Sequence, residues 1–172
     1  MRMPIRLPLL KIRRTKVRYI VLHHTIEQYP ITASQIDNSQ FQTNKLIANL
    51  MEKNLIDINY NFLIERIKDD YYVIMARPFV LLCDFPDIEP SINNMSVHIG
   101  ILGDYDKKIP EKRLYEILTY RLISPLLKYF RLGYDRIFTH KEISATPDEI
   151  SCPGDYLDKN IVLSFARRYI MR

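Results

Sequence analysis

The sequence predicts an α/β fold, a central mixed β-sheet flanked by helices. Short β-branched and aromatic runs read as strands, and the segments between them carry apolar residues at helical spacing. Size and composition agree: 172 residues, 47% hydrophobic and 26% charged, can bury a real core and are too apolar for a disordered chain. A single domain over 1–172 is expected, with 1–16 as a basic N-terminal extension.

Residues 17–23 (Val-Arg-Tyr-Ile-Val-Leu-His) are β-rich and largely apolar, the pattern of a strand buried on both faces. A polar loop with Pro30 follows. Over 41–54, Leu46, Ile47, Leu50 and Met51 lie at helical spacing, with Leu55 just beyond. Residues 59–65 and 71–76 read as two strands, joined into a hairpin by the charged turn 66–70. The stretch 79–95 holds Pro86, Pro90 and Asn93-Asn94 and reads as an irregular connection. Strand character returns over 97–102. A helix over 111–129 is marked by Leu114, Ile117, Leu118, Leu122, Leu126 and Leu127, with a kink expected at Pro125. A short strand, 136–138, delivers His140; a long polar loop leads on to Cys152, and a last helix covers 158–171. No repeat or low-complexity linker interrupts this order.

Twenty-five Lys and Arg against 20 Asp and Glu leave a net charge of +5. That excess favours an anionic partner, whether nucleic acid, a membrane surface or an acidic cell-wall polymer. Nucleic-acid binding has only the charge in its favour, because no recognition motif accompanies it. No apolar run approaches the length of a membrane span. The N-terminus mixes leucine with charge, but Pro4, Pro8 and Arg6 interrupt it, so no secretion signal is expected.

Only two cysteines occur, so disulfides do not organise the fold. Cys83 sits in the apolar run 79–83 and reads as a buried free thiol. Cys152 sits in a polar turn before Pro153-Gly154, where a ligand role explains it better. A disulfide between the two would remove the thiolate a metal needs.

Three distant stretches each offer one soft-metal ligand: Val21-Leu22-His23-His24-Thr25, Phe138-Thr139-His140-Lys141-Glu142 and Ser151-Cys152-Pro153-Gly154. Two imidazoles and one thiolate leave the fourth position of a tetrahedral Zn²⁺ open to water, the layout of a catalytic site. Metal-assisted hydrolysis is the chemistry this points to. His23 and His24 are adjacent on a strand and point to opposite faces, so only one of them can face the metal.

From Tyr19 to Leu157 the chain resembles the zinc-dependent N-acetylmuramoyl-L-alanine amidases that share a fold with peptidoglycan recognition proteins and phage T7 lysozyme. The strand ending in His23-His24-Thr25 is similar to the family's first ligand segment, with His23 in the ligand slot. Asn59-Tyr60-Asn61-Phe62 matches its Tyr-(His/Asn)-Phe strand, and Ala76-Arg77-Pro78 the Arg-Pro that ends the hairpin. Ser96-Val97-His98-Ile99-Gly100-Ile101 followed by Gly103-Asp104-Tyr105 resembles Ser-Ile-Gly-Ile followed by Gly-Asn-Phe. His140-Lys141-Glu142 and Cys152-Pro153-Gly154 match His-Arg-Asp and Cys-Pro-Gly. It is these motifs in the family's order, rather than any one of them, that carry the resemblance.

The resemblance implies one Zn²⁺ held by His23, His140 and Cys152, with Tyr60 as the active-site tyrosine, in a monomer acting on peptidoglycan or muropeptides. It implies hydrolysis of the amide between N-acetylmuramic acid and L-alanine; the alternative is a non-catalytic peptidoglycan-binding module of the same fold. With no export signal seen, a phage protein (in the virion or holin-released) or a cytoplasmic recycling enzyme is expected. His24 should pack or lie exposed beside the site. Two positions depart from the family. Ile150 stands where a Lys or Thr helps stabilise the tetrahedral intermediate, so that role is empty or is filled by Ser151, Lys141 or the longer loop. His98 stands where glycine is usual, and reads as a hydrogen-bonded strand histidine rather than an extra polar group at the cleft.

Overall fold

The computed structural model describes residues 11–25 and 59–170. The helix expected over 41–54 lies outside these residues, as do positions 1–10. Five strands form one mixed sheet: β1 (Tyr19–Thr25), β2 (Phe62–Ile67), β3 (Asp70–Met75), β4 (Ser96–Leu102) and β5 (Ile137–Thr139). Their order across the sheet is β3-β2-β4-β1-β5. Only the β2–β3 hairpin is antiparallel; β1 pairs in parallel with both β4 and β5, and β2 in parallel with β4. The predicted α/β class is therefore observed.

β1 and β4, two of the three inner strands, are buried almost throughout, as double-sided packing requires. Alternation sorts their side chains. Ile20 and Leu22 of β1, Val97, Ile99 and Ile101 of β4, and Phe62 and Ile64 of β2 join the main core with Leu114, Leu118, Leu122 and Val162 from helices on that side. The opposite face carries a smaller cluster around Leu63 and Leu102, packed by Tyr60, Ile74 and Ala76. His23 has the parity of this second face.

The long helix expected over 111–129 forms as α2 (Lys112–Ile117), a π-helical turn (Leu118–Ile123) and α3 (Ser124–Phe130). Its irregularity precedes Pro125. A proline ring collides with the carbonyl four residues back, and the wider π turn, closed by Ser124 N–H to the Thr119 carbonyl, takes up that conflict. The final helix, α5, runs Lys159–Ile170.

Several boundaries move. The hairpin turn shrinks to Lys68-Asp69, with Lys68 in the left-handed region at φ 56°, so Tyr60 and Asn61 stand ahead of β2 rather than within it. The connection over 79–95 contains a short helix, α1 (Pro90–Asn94): Glu89 caps it by accepting from Ile92 N–H, and Pro90 occupies a first-turn position that needs no donor. The loop after β5 opens with another, α4 (His140–Ile143). From the expected basic extension, residues 11–16 lie against the fold. Ile12 bridges Leu81, and the Arg13 guanidinium donates to the carbonyls of Phe79, Asn94 and Ser96.

Gly100 of β4 lies level with His23 of β1 and Leu63 of β2. A Cβ there would meet Leu63 Cδ2 at 2.9 Å and Tyr60 Cγ at 3.0 Å. The bare backbone thus seats the Tyr60 ring beside His23. Gly100→Ala should keep the sheet but cost about 1–3 kcal/mol, the usual scale of overpacking. Urea unfolding would read it as a lower midpoint at constant slope; an unchanged midpoint would mean that Tyr60 does not pack there.

Candidate metal centre

Parallel register brings two of the candidate ligands together. Leu22 of β1 pairs with Thr139 of β5, so the next residues along each strand are His23 and His140. Their rings lie 4.5 Å apart, centroid to centroid. His140 opens α4 through a capping box: Thr139 Oγ1 accepts from Glu142 N–H, and Glu142 Oε2 accepts from Thr139 N–H at 2.7 Å. Lys159 of α5 pairs with Glu142 and holds that box against the last helix.

The loop from α4 returns to the same point. Lys141 N–H donates to the Cys152 carbonyl at 3.0 Å. Gly154, at φ +97°, lets the chain press on Tyr105, where a Cβ would come within 2.5 Å of the Tyr105 carbonyl carbon. Cys152 Sγ lies 3.8 Å from His23 Nδ1 and accepts from the His24 backbone N–H at 3.4 Å. One ligand atom each from His23, His140 and Cys152 falls within 4.8 Å of the others.

These three side chains fit a tetrahedral zinc. Zn–S of about 2.3 Å and Zn–N of about 2.0–2.1 Å, opened to the tetrahedral angle, put sulfur and nitrogen about 3.6 Å apart. The observed 3.8 Å matches that span. Burial favours the neutral ligating form of the imidazoles: His23 is driven well below the ordinary histidine range by desolvation and then by the neighbouring histidines. His140 is lowered by burial, against the opposing pull of Asp87. The Cys152 thiol is pushed up to about 12, chiefly by burial, with the His24 N–H opposing. A cation among the three ligands inverts that preference and favours thiolate.

Around the ligands stand residues of two kinds. Tyr60 meets the His23 ring edge-on at 5.4 Å, and burial raises its phenol pKa, so it remains a protonated donor. Asn61 fixes that tyrosine: its N–H donates to the His98 carbonyl at 2.9 Å, and its side-chain oxygen accepts from His98 N–H at 3.0 Å. His98 is fully buried, with Nδ1 2.9 Å from His23 Nε2. It is a hydrogen-bonded strand histidine, as expected, but its partner is a candidate ligand, and its Nε2 is buried without a hydrogen-bond partner among the described residues. His24 faces the main core, where Nδ1 accepts from Tyr105 N–H, so the opposite-face expectation for the histidine pair is met. Cys83 is buried, and neither cysteine is in a disulfide.

Two neighbours carry no motif in the sequence. Phe85 stacks on His23 at 4.4 Å and 18° and on His98 at 4.6 Å and 29°. Asp87 Oδ2 sits 2.7 Å from His140 Nε2, though without an aligned hydrogen bond, and accepts from Ser144 Oγ at 2.9 Å. With Nε2 turned to that carboxylate, Nδ1 is the nitrogen of His140 left to ligate. Both residues lie in the proline-rich connection; the nearest signal is Arg77, whose guanidinium donates to the Leu82 carbonyl and so anchors the loop that carries them.

The ligands open into a cleft of about 540 Å³, whose described walls include Thr25, Tyr60, Phe85, Glu149, Ile150 and Ser151. Ile150 presents a hydrocarbon there. The Ser151 hydroxyl is committed to Asp106 Oδ2 at 2.6 Å, and Lys141 is exposed and outside the described lining. Three convergent soft ligands, an open side and a phenol donor are the parts that metal-assisted hydrolysis of a carbonyl compound requires.

Comparison with known proteins agrees with this geometry. The chain is 28% identical over 142 residues to peptidoglycan recognition protein 1 of Rattus norvegicus, covering 82% of this chain and 71% of that one. The Ph2119 endolysin of a Thermus scotoductus bacteriophage has the same fold, with a TM-score of 0.61, 22% identity, and coverage of 91% of this chain and 89% of that one. A Drosophila PGRP-LB variant in complex with tracheal cytotoxin superimposes with a TM-score of 0.58 at 16% identity, over 88% of this chain and 83% of that one. The model of the N-acetylmuramoyl-L-alanine amidase family, Amidase_2, matches residues 13–155. That span holds all five strands and all three candidate ligands, and the chain belongs to this family.

Proposed function

We propose that this chain is a zinc-dependent N-acetylmuramoyl-L-alanine amidase, cleaving the amide between N-acetylmuramic acid and the L-alanine of the peptidoglycan stem. The convergence of His23, His140 and Cys152 on one open cleft carries this reading. The fold shared with a protein that takes tracheal cytotoxin supports a peptidoglycan fragment as the partner. A zinc ion held by those residues would supply Lewis acidity towards the amide carbonyl and a water of lowered pKa.

The chain's own groups supply the rest. Tyr60, protonated and wedged between His23 and Phe85, offers a phenol hydrogen to oxygen that gains charge as the carbonyl is attacked. Hydrolysis adds water across the amide; the C–N bond breaks and the alanine amine leaves with a proton. The buried strand ends beneath the ligands keep bulk water from the far side of the site. Ile150 favours a second reading, a binding module of the same fold, since an isoleucine donates nothing to an oxyanion.

Incubating the purified chain with muropeptides, with zinc and with a chelator, separates the two. Zinc-dependent release of stem peptide is expected; zinc-loaded protein that binds peptidoglycan without releasing peptide would establish the binding module instead. Elemental analysis of Cys152→Ala should show loss of most of the zinc, because two histidines alone hold it poorly. Full stoichiometric zinc in that variant would remove Cys152 from the ligand set.

Tyr60→Phe should keep fold and zinc while kcat falls by roughly 10²–10³, the usual cost of losing one oxyanion donor. An unchanged kcat would reduce Tyr60 to a packing residue. Ile150→Lys or Ile150→Thr should raise kcat, by less than the ~3 kcal/mol of a well-placed donor, because the loop is not built around it. Loss of activity with zinc still bound would show that the slot already holds other chemistry.

A further inference from the structure

His98 lies on β4 two residues before Gly100, so it shares the sheet face of His23 and stands one pleat below it. The two rings are completely buried, and His23 Nε2 and His98 Nδ1 are 2.9 Å apart. Neither ring pairs with a carboxylate among the described residues, and the buried pair is flanked by a third histidine, His140, and by Arg13 on the far side. Both rings are therefore neutral, and a contact of this length between two neutral imidazoles contains one proton.

That proton has two places. On His98 Nδ1, it would point at a lone pair on His23 Nε2 and force the single ring proton of His23 onto Nδ1, facing Cys152 Sγ. On His23 Nε2, it points at a lone pair on His98 Nδ1 and leaves the lone pair of His23 on Nδ1, 3.8 Å from that sulfur. Only the second arrangement leaves His23 a lone pair beside Cys152 and His140, as a metal ligand needs. A filler ring beside Phe85 would be met at less cost by an apolar side chain, since His98 Nε2 is buried without a well-formed partner.

We propose that His98 is a positioning residue: its Nδ1 accepts the Nε2 proton of His23 and holds that histidine in the tautomer whose Nδ1 lone pair faces Cys152 and His140. The inference rests on the reading of His23 as a metal ligand. Outer hydrogen bonds of this kind orient a ligand and typically change metal affinity 10–100-fold.

The test uses the full chain, with zinc as probe and a competing chelator as reference. His98→Phe keeps the ring and its stacking on Phe85 but has no acceptor; zinc affinity about 10–100-fold weaker is expected. His98→Asn places an amide oxygen where histidine has Nδ1 and should restore most of that loss. Wild-type zinc affinity in a folded His98→Phe protein, or equal losses in both variants, would overturn the role. Nitrogen-15 NMR of the imidazoles in the metal-free wild-type protein reads the tautomer directly and needs no variant to fold. His23 protonated at Nε2, and mixed in His98→Phe, is expected; His23 protonated at Nδ1 in the wild type overturns the proposal. Wild-type protein that takes up no zinc would defeat the metal reading instead, and the tautomer measurement would still decide the role of His98.

Discussion

One register, β1 between β4 and β5, sets the geometry of everything else. Because Leu22 is level with Thr139, His23 and His140 leave neighbouring parallel strands at the same height. A slip of one residue would turn His23 to the helix face and bring His24 to the cleft. That slip is opposed by the main core, since Ile20 and Leu22 would exchange places with Val21 and His23. The hydrophobic face of β1 thus stabilises the register that the site on its other face requires. The fold does not merely carry the site; it indexes it.

Burial then decides the protonation of what the register assembles. Three imidazoles and a phenylalanine pack within a few ångströms, and no one of these histidines gains a proton cheaply there. Neutral rings carry one N–H and one lone pair each, so their order is a matter of direction rather than charge. His23 has the buried His98 ring behind it, and His140 has a carboxylate in Asp87. Each candidate ligand is consequently held from behind. Cys152 receives its support from the backbone of β1 itself, through His24 N–H. The strand that supplies the first ligand thereby also steadies the third.

Much of this is legible in the chain, and what is not has a physical reason. His23, His140 and Cys152 stand out because soft-ligand residue types recur in short motifs whose order can be followed along the sequence. Tyr60 stands out only through its motif, as one of 12 tyrosines. Asp87 and Phe85 leave no trace, because they reach the site through the fold of an irregular connection whose path depends on Arg77 and Arg13 gripping distant carbonyls. His98 shows as a departure, but its meaning is a contact between strands 75 positions apart, which no local pattern encodes. The π turn is similar: Pro125 announces a disturbance, but the wider turn that precedes it is not written in the local spacing. Strand ends moved by two or three residues where a tight turn, as at Lys68, lengthened the pairing.

The two departures from the family pattern act on opposite sides of the same candidate ligands. His98 adds a polar group behind His23, away from the cleft, whereas Ile150 removes one from the cleft wall. On the proposed reading the first strengthens the grip on the metal and the second weakens what greets the substrate's developing charge. A module that only bound peptidoglycan would have no use for a half-buried thiol beneath a strand's N–H, or for a second histidine spent on orienting the first. Ile150 is an apolar residue on an otherwise mixed wall, and an apolar wall can strengthen whatever donor remains by excluding water from it. On the proposed reading Tyr60 is such a donor, a phenol kept protonated by burial, seated by Gly100 and tied through Asn61 to the strand that bears His98. The candidate site therefore converges on β4: the residue behind the first candidate ligand and the space that admits the tyrosine are two positions on one strand, a single pleat apart.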